Sequence, residues 1–450
     1  MKRSALAALA VIAVFAAVAA AASSRAPTVA VPHAVKAPQK GEGSLLAVVP
    51  GARGPVLGRA DRRALWVARR SPRLRIFNSV AAWAYAPDRS VLALATQPQQ
   101  GLDNPPATLQ FVQPAVVRRL ARTVVGEGRI RALAFGDGRI NLVLEHSCCP
   151  SAVEIVGVDV GTIRVVSRRT LPNAVVSAQR AGDSIVLLLA PERGIGTAAL
   201  AVVDPGGTVR TVALSQITAG IDLPTEETTD FSKLHRDYPG LAVAPDASVA
   251  FVVPATGAIA RVSLADLAVS YHSVVQPVSL LGRLHDWVEP KAEAKGISGP
   301  ERSARWLGAG VIAVSGGDEA VSVDSSNQMH VSWKPAGLTL IDTNTWGARL
   351  IDRGADSVTV DGDTLLATGS TWTTEGNDDA MGLGAYGFDG SRRFAVLHGR
   401  SAVVALVFRR RAYVGVGDRY RTKVVDLTNG AMLKDRHAPL AQLLIGDGSS

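Results

Sequence analysis

Leu241–Val253 reads LAVAPDASVAFVV: two short apolar runs, each alternating in size and β-branching, on either side of Pro245-Asp246. Alternation over four or five residues, bounded by Pro, Asp and Ser, is the signature of two half-buried strands joined by a tight turn. Working outward from this hairpin, the same pattern recurs along the chain. WAYAPDRSVLALA surrounds Asp88, LAFGDGRINLVLE surrounds Asp137 and VSAQRAGDSIVLLLA surrounds Asp183. ARWLGAGVIAVSG, SVTVDGDTLLATG and VALVFRRRAYVGV repeat it around Gly308, Asp361 and Arg410. Successive turns lie 46 to 63 residues apart. That spacing leaves room for four strands of about five or six residues with their turns.

The second half of each repeat follows a matching rule. AVEIVGVDVGTIRVVSRR, IARVSLADLAVSYHSV and LTLIDTNTWGARLID each carry an alternating strand, an Asp- or Gly-containing turn and another strand. Only Leu281 to Lys295 offers a short stretch compatible with a helix. Four-stranded antiparallel units at this period bury both faces only against their neighbours, which is what a β-propeller blade requires. The expectation is an all-β chain, a single propeller over residues 44–450. Turn count gives eight blades, seven continuous and one split, or seven in all if the unit around Gly308 is irregular. Strands from SLLAVV, GPVLGRAD and ALWVARR at one end and from APLAQLLIGDGSS at the other are expected to close the ring, which removes exposed sheet edges.

The turn-and-strand texts LAVAPDASVAFVV and LTLIDTNTWGARLID resemble the repeats of the YVTN and quinoprotein-like propeller superfamilies. The resemblance runs over nearly all of 44–450 and implies a blade rather than an activity, because one fold hosts many functions.

Composition bounds the function classes. The chain has 450 residues, 47% hydrophobic and only 5% aromatic, so it is not disordered, and two cysteines exclude a disulfide-stapled scaffold. Lys2 and Arg3, an apolar run from Ala5 to Ala22, and small residues Ala20 and Ala22 before Ser23 read as a secretory signal over 1–22, or as an uncleaved membrane anchor. Residues 23–43, rich in Pro, Ala and Ser, read as an extended tether. The net charge is +9 for the whole chain and +7 without residues 1–22. Arginines are dispersed and aromatics few, which speaks against a nucleic-acid partner.

Candidate site residues fall into three groups. Cys148-Cys149 follow Glu145 and His146 in LEHSCCPSAVE. Adjacent Cα atoms about 3.8 Å apart fall below the usual disulfide separation of about 4.4–6.8 Å, so a bond between these two would close a strained ring. Such a ring resembles the one lying over the cofactor in quinoprotein alcohol dehydrogenases; the plainer and preferred reading is a rigid turn before Pro150. Two long connections supply the second group. Gln216 to Gly240 carries Asp222, Glu226, Glu227, Asp230, His235, Arg236, Asp237 and Tyr238; Gln276 to Arg305 carries Arg283, His285, Asp286, Glu289, Glu301, Arg302 and Arg305. Of these, His235, Asp237, His285, Asp286 and Arg302, with Glu145 and His146, are the expected ligand face, since functional residues of repeat folds sit on insertions at one face. Third, Glu375, Asn377, Asp378 and Asp379 are oxygen donors whose spacing misses the calcium-loop pattern, so a polar loop is expected there. The tryptophans, Trp287 apart, read as packing between blades.

No complete catalytic or metal-ligand motif is present, and neither a cofactor nor a metal is expected. The sequence favours an exported, monomeric, non-catalytic binding or scaffold propeller at the cell envelope, its partner a protein, peptide or envelope polymer. A membrane contact is expected only through an uncleaved N-terminus. The alternative is an enzyme with its site at the channel mouth, such as a quinoprotein-like oxidoreductase or a lactonase-like hydrolase. The two readings part on whether polar side chains of the long connections and Cys148-Cys149 open onto one face: meeting in a concave pocket at the channel mouth would favour the enzyme, and separation the binding module.

Overall fold

The computed structural model describes residues 32–35, 45–48, 57–58, 65–68, 75–78, 444–445, and 80–433 apart from 89, 98–103, 114–117, 147–150, 223–234, 275–297, 324–328, 375, 409 and 418–420. Its regular elements are all strands.

The hairpin at Asp246 shows how each unit starts. Gly240–Val243 and Val249–Val253 pair antiparallel, Gly240 opposite Val253. Between them the Asp246 carboxylate accepts hydrogen bonds from the Ser248 amide at 3.1 Å and the Ser248 hydroxyl at 2.7 Å. An aspartate that bonds its own backbone two residues on holds the turn closed. Alternate side chains then enter different cores. Leu241, Val243, Ala250 and Val252 pack with Val186, Leu188 and Leu200 of the preceding unit, while Ala242, Phe251 and Val253 pack with Ala304, Ile312 and Ile341 of the following one. Period-two alternation here divides one apolar surface from another, which is why the runs lack polar residues.

Strands β1–β5 are Pro32–Val35, Leu45–Val48, Leu57–Gly58, Leu65–Ala68 and Arg75–Asn78. The first unit is β6–β9 (Val80–Tyr85, Leu92–Thr96, Pro106–Gln113, Arg118–Glu127), and the second is β10–β13 (Arg129–Phe135, Arg139–His146, Ala152–Asp159, Val165–Leu171). The third, β14–β17 (Asn173–Ala181, Ser184–Pro191, Gly194–Val203, Val209–Ile221), gains a short fifth strand, β18 (Arg236–Asp237). The fourth is β19–β22 (Gly240–Val243, Val249–Val253, Ile259–Ser263, Val269–His272). Next come β23 (Gly299–Gly308), β24 (Val311–Val323), β25 (Met329–Pro335), β26 (Leu338–Asp342) and β27 (Ala348–Asp352). They are followed by β28–β31 (Ser357–Asp361, Thr364–Thr373, Gly376–Gly387, Arg392–Val396), β32–β35 (Ala402–Phe408, Arg411–Val416, Arg421–Asp426, Met432–Leu433) and β36 (Leu444–Ile445).

Among the described residues, seven four-stranded antiparallel units therefore follow one another. Two of them, β23-β24-β26-β27 and β28–β31, merge into a nine-stranded sheet because β25 pairs with the far end of β24 and then with the end of β29. The unit around Gly308 is thus a regular blade carrying one inserted strand. Apolar clusters lie between the first and second units, the second and third, and so on to the sixth and seventh. The first strands β6, β10, β14, β19 and β23 touch in succession, while fourth strands such as β13 are largely exposed. Units stacked face to face with first strands converging and fourth strands outermost make a β-propeller.

At the chain ends, Pro32–Val35, inside the segment expected to be a tether, pairs with Leu65–Ala68, and Leu57–Gly58 pairs with Leu444–Ile445.

Three sequence expectations are corrected. Gly299–Gly308 is a first strand, so Glu301, Arg302 and Arg305 belong to a blade and not to an insertion. Their charge disguised a strand that faces a polar space. Likewise Gln216–Ile221 continues β17 and Arg236–Asp237 forms β18. Asn377, Asp378 and Asp379 lie in β30 of the long hairpin β29–β30 rather than in a polar loop, since backbone pairing runs from Thr364 opposite Gly387 to Thr373 opposite Gly376; Glu375 lies outside the described residues. Two tryptophans pack between blades as expected: Trp306 stacks on Phe251 with centroids 5.6 Å apart, and Trp346 stacks on His272 at 3.9 Å; Trp372, by contrast, is exposed. The stretch 281–295, with Trp287, lies outside the described residues.

Candidate functional site at the mouth of the first strands

Strand direction sorts the connections onto two faces. In an antiparallel four-stranded unit, the turns joining strands one to two and three to four lie on one face. Those joining two to three, and four to the next unit, lie on the other. The first face carries the aspartate-closed turns: Asp88, Asp159, Asp246, Asp266, Asp342, Asp389 and Asp426, whose carboxyls all sit below the usual aspartate range because neighbouring serine, threonine, asparagine or backbone groups donate to them. The strand ends flanking 147–150, 223–234, 275–297 and 324–328 all lie on the second face. Extended ends of β16, β17, β24, β29 and β30 rise from that same face.

Near this second face three first strands bound a cleft of about 210 Å³, lined among others by Ser177 and Gln179 of β14, Tyr238 just ahead of β19, and Glu301, Ser303 and Arg305 of β23. Gln179 ties the walls together. Its amide nitrogen donates to the Leu241 carbonyl and, at 3.3 Å, to the Ala304 carbonyl, and its oxygen accepts from the Val243 amide at 3.2 Å. One side chain thereby joins the first strands of three successive units.

Residues 235–238 run parallel to the start of β23, with bridges from His235 to Ser298 and from Tyr238 to Glu301. The Arg236 amide donates to Ser298 at 2.8 Å, and the Arg302 amide donates to Tyr238 at 2.7 Å. Gly299, at φ 138°, permits this approach. A Cβ there would collide with the Arg236 carbonyl oxygen. The Arg236 guanidinium pairs with Glu319 at 2.6 Å and Glu301 at 3.5 Å and sits 5.9 Å from the ring centroids of both Tyr238 and Trp333. Burial raises the Tyr238 phenol above its ordinary value, with Arg236, Glu301, Glu145 and Arg131 near enough to act on its charge. Tyr238 therefore stays a neutral hydroxyl beside the cleft across the ordinary pH range.

The expected ligand-face residues take different places. Glu145 is not among the residues lining the cleft but lies beside one wall: it accepts the Val175 amide at 2.8 Å and pairs with Arg131 at 3.4 Å, while Arg131 donates to the Val175 carbonyl at 3.0 Å. This links the second unit to the third. Arg302 lines the cleft, but its guanidinium is held by Asp318 at 2.9 Å and the Gly317 carbonyl at 2.9 Å. Asp237 accepts from the Thr218 hydroxyl at 2.6 Å, and His146 lies 3.5 Å from Glu154; both serve local pairing. His235 is exposed and contributes backbone bonds. Cys148, Cys149, His285 and Asp286 lie outside the described residues. Gln179 escaped notice in the sequence because it sits in an otherwise ordinary strand. Arg305 stands both in the repeat ARWLGAGVIAVSG and at the end of the expected insertion, and the neighbouring charges Glu301 and Arg302 masked its place in a first strand. Among the described residues, no three His, Cys, Asp or Glu side chains gather for a metal ion.

No protein-family model matches the chain, and no curated protein does. Solved structures with a similar chain path exist at low identity. The dihydro-heme d1 dehydrogenase NirN, solved in complex with DHE, is 12% identical with a TM-score of 0.47, over 89% of this chain and 75% of that one. BamB from Moraxella catarrhalis is 12% identical with a TM-score of 0.39, over 77% and 90%. The β-propeller domain of the trilobed protease from Pyrococcus furiosus is 11% identical with a TM-score of 0.36, over 80% and 97%.

Proposed function

We propose that this chain is an exported, non-catalytic binding propeller of the cell envelope that receives its partner at the cleft between β14, β19 and β23. The observation that carries the reading is a cleft on which the described residues of the expected ligand face do not converge: only Arg302 of them lines it, and Asp318 holds that guanidinium. The cleft is concave and polar, held by the Gln179 clip, and it opens near the face from which the long connections leave. Binding sites on propellers and other repeat scaffolds collect where rigid strands present a hollow beside variable connections. At about 30 Å³ of liquid volume per water, 210 Å³ holds the equivalent of about seven waters. That suits the end of a peptide or of an envelope polymer rather than a large cofactor. Export is supported by the reading of residues 1–22.

The test is hydroxyl-radical labelling of the purified chain with soluble peptidoglycan fragments, and separately with mixed-sequence tetrapeptides. Labelling of Tyr238 is expected to fall with at least one of them, while labelling of Tyr271, on the outer strand β22, stays constant. Equal labelling of Tyr238 with and without both probes would contradict the proposal.

A further inference from the structure

We propose that Arg305 makes the cleft an oxyanion-binding site, taking a carboxylate or a phosphate monoester on its ligand. This rests on the cleft being the binding site and names the chemistry that it selects.

The arginines around the mouth are otherwise neutralised. Arg131 faces Glu145, Arg236 faces Glu319 and Glu301, and Arg302 faces Asp318. Arg305 differs. It is half-buried in the cleft wall, and among the described residues it has neither a carboxylate within ion-pair distance nor a hydrogen-bond acceptor. Burial alone draws its guanidinium below the ordinary arginine value, and no acidic group opposes that shift. A guanidinium cannot relieve the cost of burial by losing its proton, and its five N–H donors need acceptors. A planar, two-oxygen anion meets the fork in parallel hydrogen bonds and supplies the missing charge. Tyr238, kept protonated by burial, and the hydroxyls of Ser177 and Ser303 add neutral donors along the same walls. Glu301, half of its side chain exposed, already faces Arg236, so the nearest carboxylate of the wall is directed to another cation.

The experiment is isothermal titration calorimetry at fixed ionic strength with inorganic phosphate and with N-acetylglycine as probes. It uses the full chain and four variants: Arg305→Gln, Arg305→Lys, Ser303→Trp and, on the exposed outer strand, Arg169→Gln. Circular dichroism checks the fold of each. Saturable binding of at least one probe is expected, with phosphate the tighter for a phosphomonoester site and N-acetylglycine the tighter for a carboxylate site. Arg305→Gln should weaken it by about tenfold or more, the loss of a charge-assisted hydrogen-bond pair. Arg305→Lys should keep part of it. Ser303→Trp, which fills the cleft and leaves the charge in place, should abolish it, and Arg169→Gln should leave it unchanged.

Binding that is equal in Arg305→Gln and the unaltered chain would overturn the proposal, as would the absence of binding in the unaltered chain, whether the cleft is dry or an intramolecular carboxylate from beyond the described residues already occupies Arg305. If Tyr238 is still protected by peptidoglycan fragments or tetrapeptides in Arg305→Gln, to the same degree, the cleft binds by other means and only the anion assignment falls. If protection and probe binding are both absent, the binding reading falls with it.

Discussion

Asp246 and Asp88 close their turns in the same way, each accepting the amide and the hydroxyl of a serine two residues on. Asp363 goes further, pairing with Arg393 at 2.6 Å, which pulls its carboxyl down to about 2. All of these carboxyls are depressed in the fold relative to the unfolded chain, where aspartate titrates near about 3.9. A depressed folded value means that the contribution is fully present above the unfolded value and fades as pH falls through the folded one. The melting temperature is therefore expected to hold steady from pH 7 to about 5 and to fall progressively from about pH 4 to 2. Asp363→Asn should flatten the lowest part of that fall, measured by scanning calorimetry across the series. A melting temperature independent of pH down to 2 would show that the turns contribute nothing. These turns were legible from the sequence because Asp with Ser or Thr two or three residues on is a local code.

Strands of one unit touch the next through apolar faces, yet at the cleft a single polar side chain spans three units. Gln179 makes hydrogen bonds to Leu241, Val243 and Ala304, and an alanine there would leave buried backbone groups of β19 and β23 without partners. Gln179→Ala is expected to cost about 1–3 kcal/mol in urea unfolding and to widen the cleft; a cost within error of zero would mean that water replaces the clip. The blade pattern was readable from alternation and turn residues alone, since local periodicity suffices to mark a strand. The site was only half readable. Glu145 and Arg302 were expected at the ligand face; Arg302 lines the cleft and Glu145 lies beside it at Val175, but each is neutralised by a partner on the neighbouring strand of its own hairpin. Those partners, Arg131 and Asp318, are set by the register of the β10–β11 and β23–β24 hairpins, which alternation of residue types alone does not fix. Arg305 lacks such a partner among the described residues, and a missing partner leaves no trace in a sequence.

At the scale of the molecule the two faces differ in kind, one built of short aspartate-closed turns and the other carrying the strand extensions, the long connections and the cleft. Leu57–Gly58 pairs with Leu444–Ile445, a contact between strands from the two ends of the chain. Deleting residues 440–450 is then expected to lower the melting temperature by several degrees and to raise the tendency to associate, by exposing an edge. An unchanged melting temperature and a monomer after deletion would argue that closure does not depend on this pair.

Whether binding takes place at the cleft near the elaborated face is read out by site-specific photo-crosslinking of the full chain in its own cells. Benzoylphenylalanine is placed at position 238, beside the cleft, or at position 246, in a tight turn of the opposite face. One discrete adduct, displaced by excess phosphate or N-acetylglycine, is expected from position 238, and none from position 246. An adduct formed only from position 246, or from both positions without displacement, would contradict binding at the cleft.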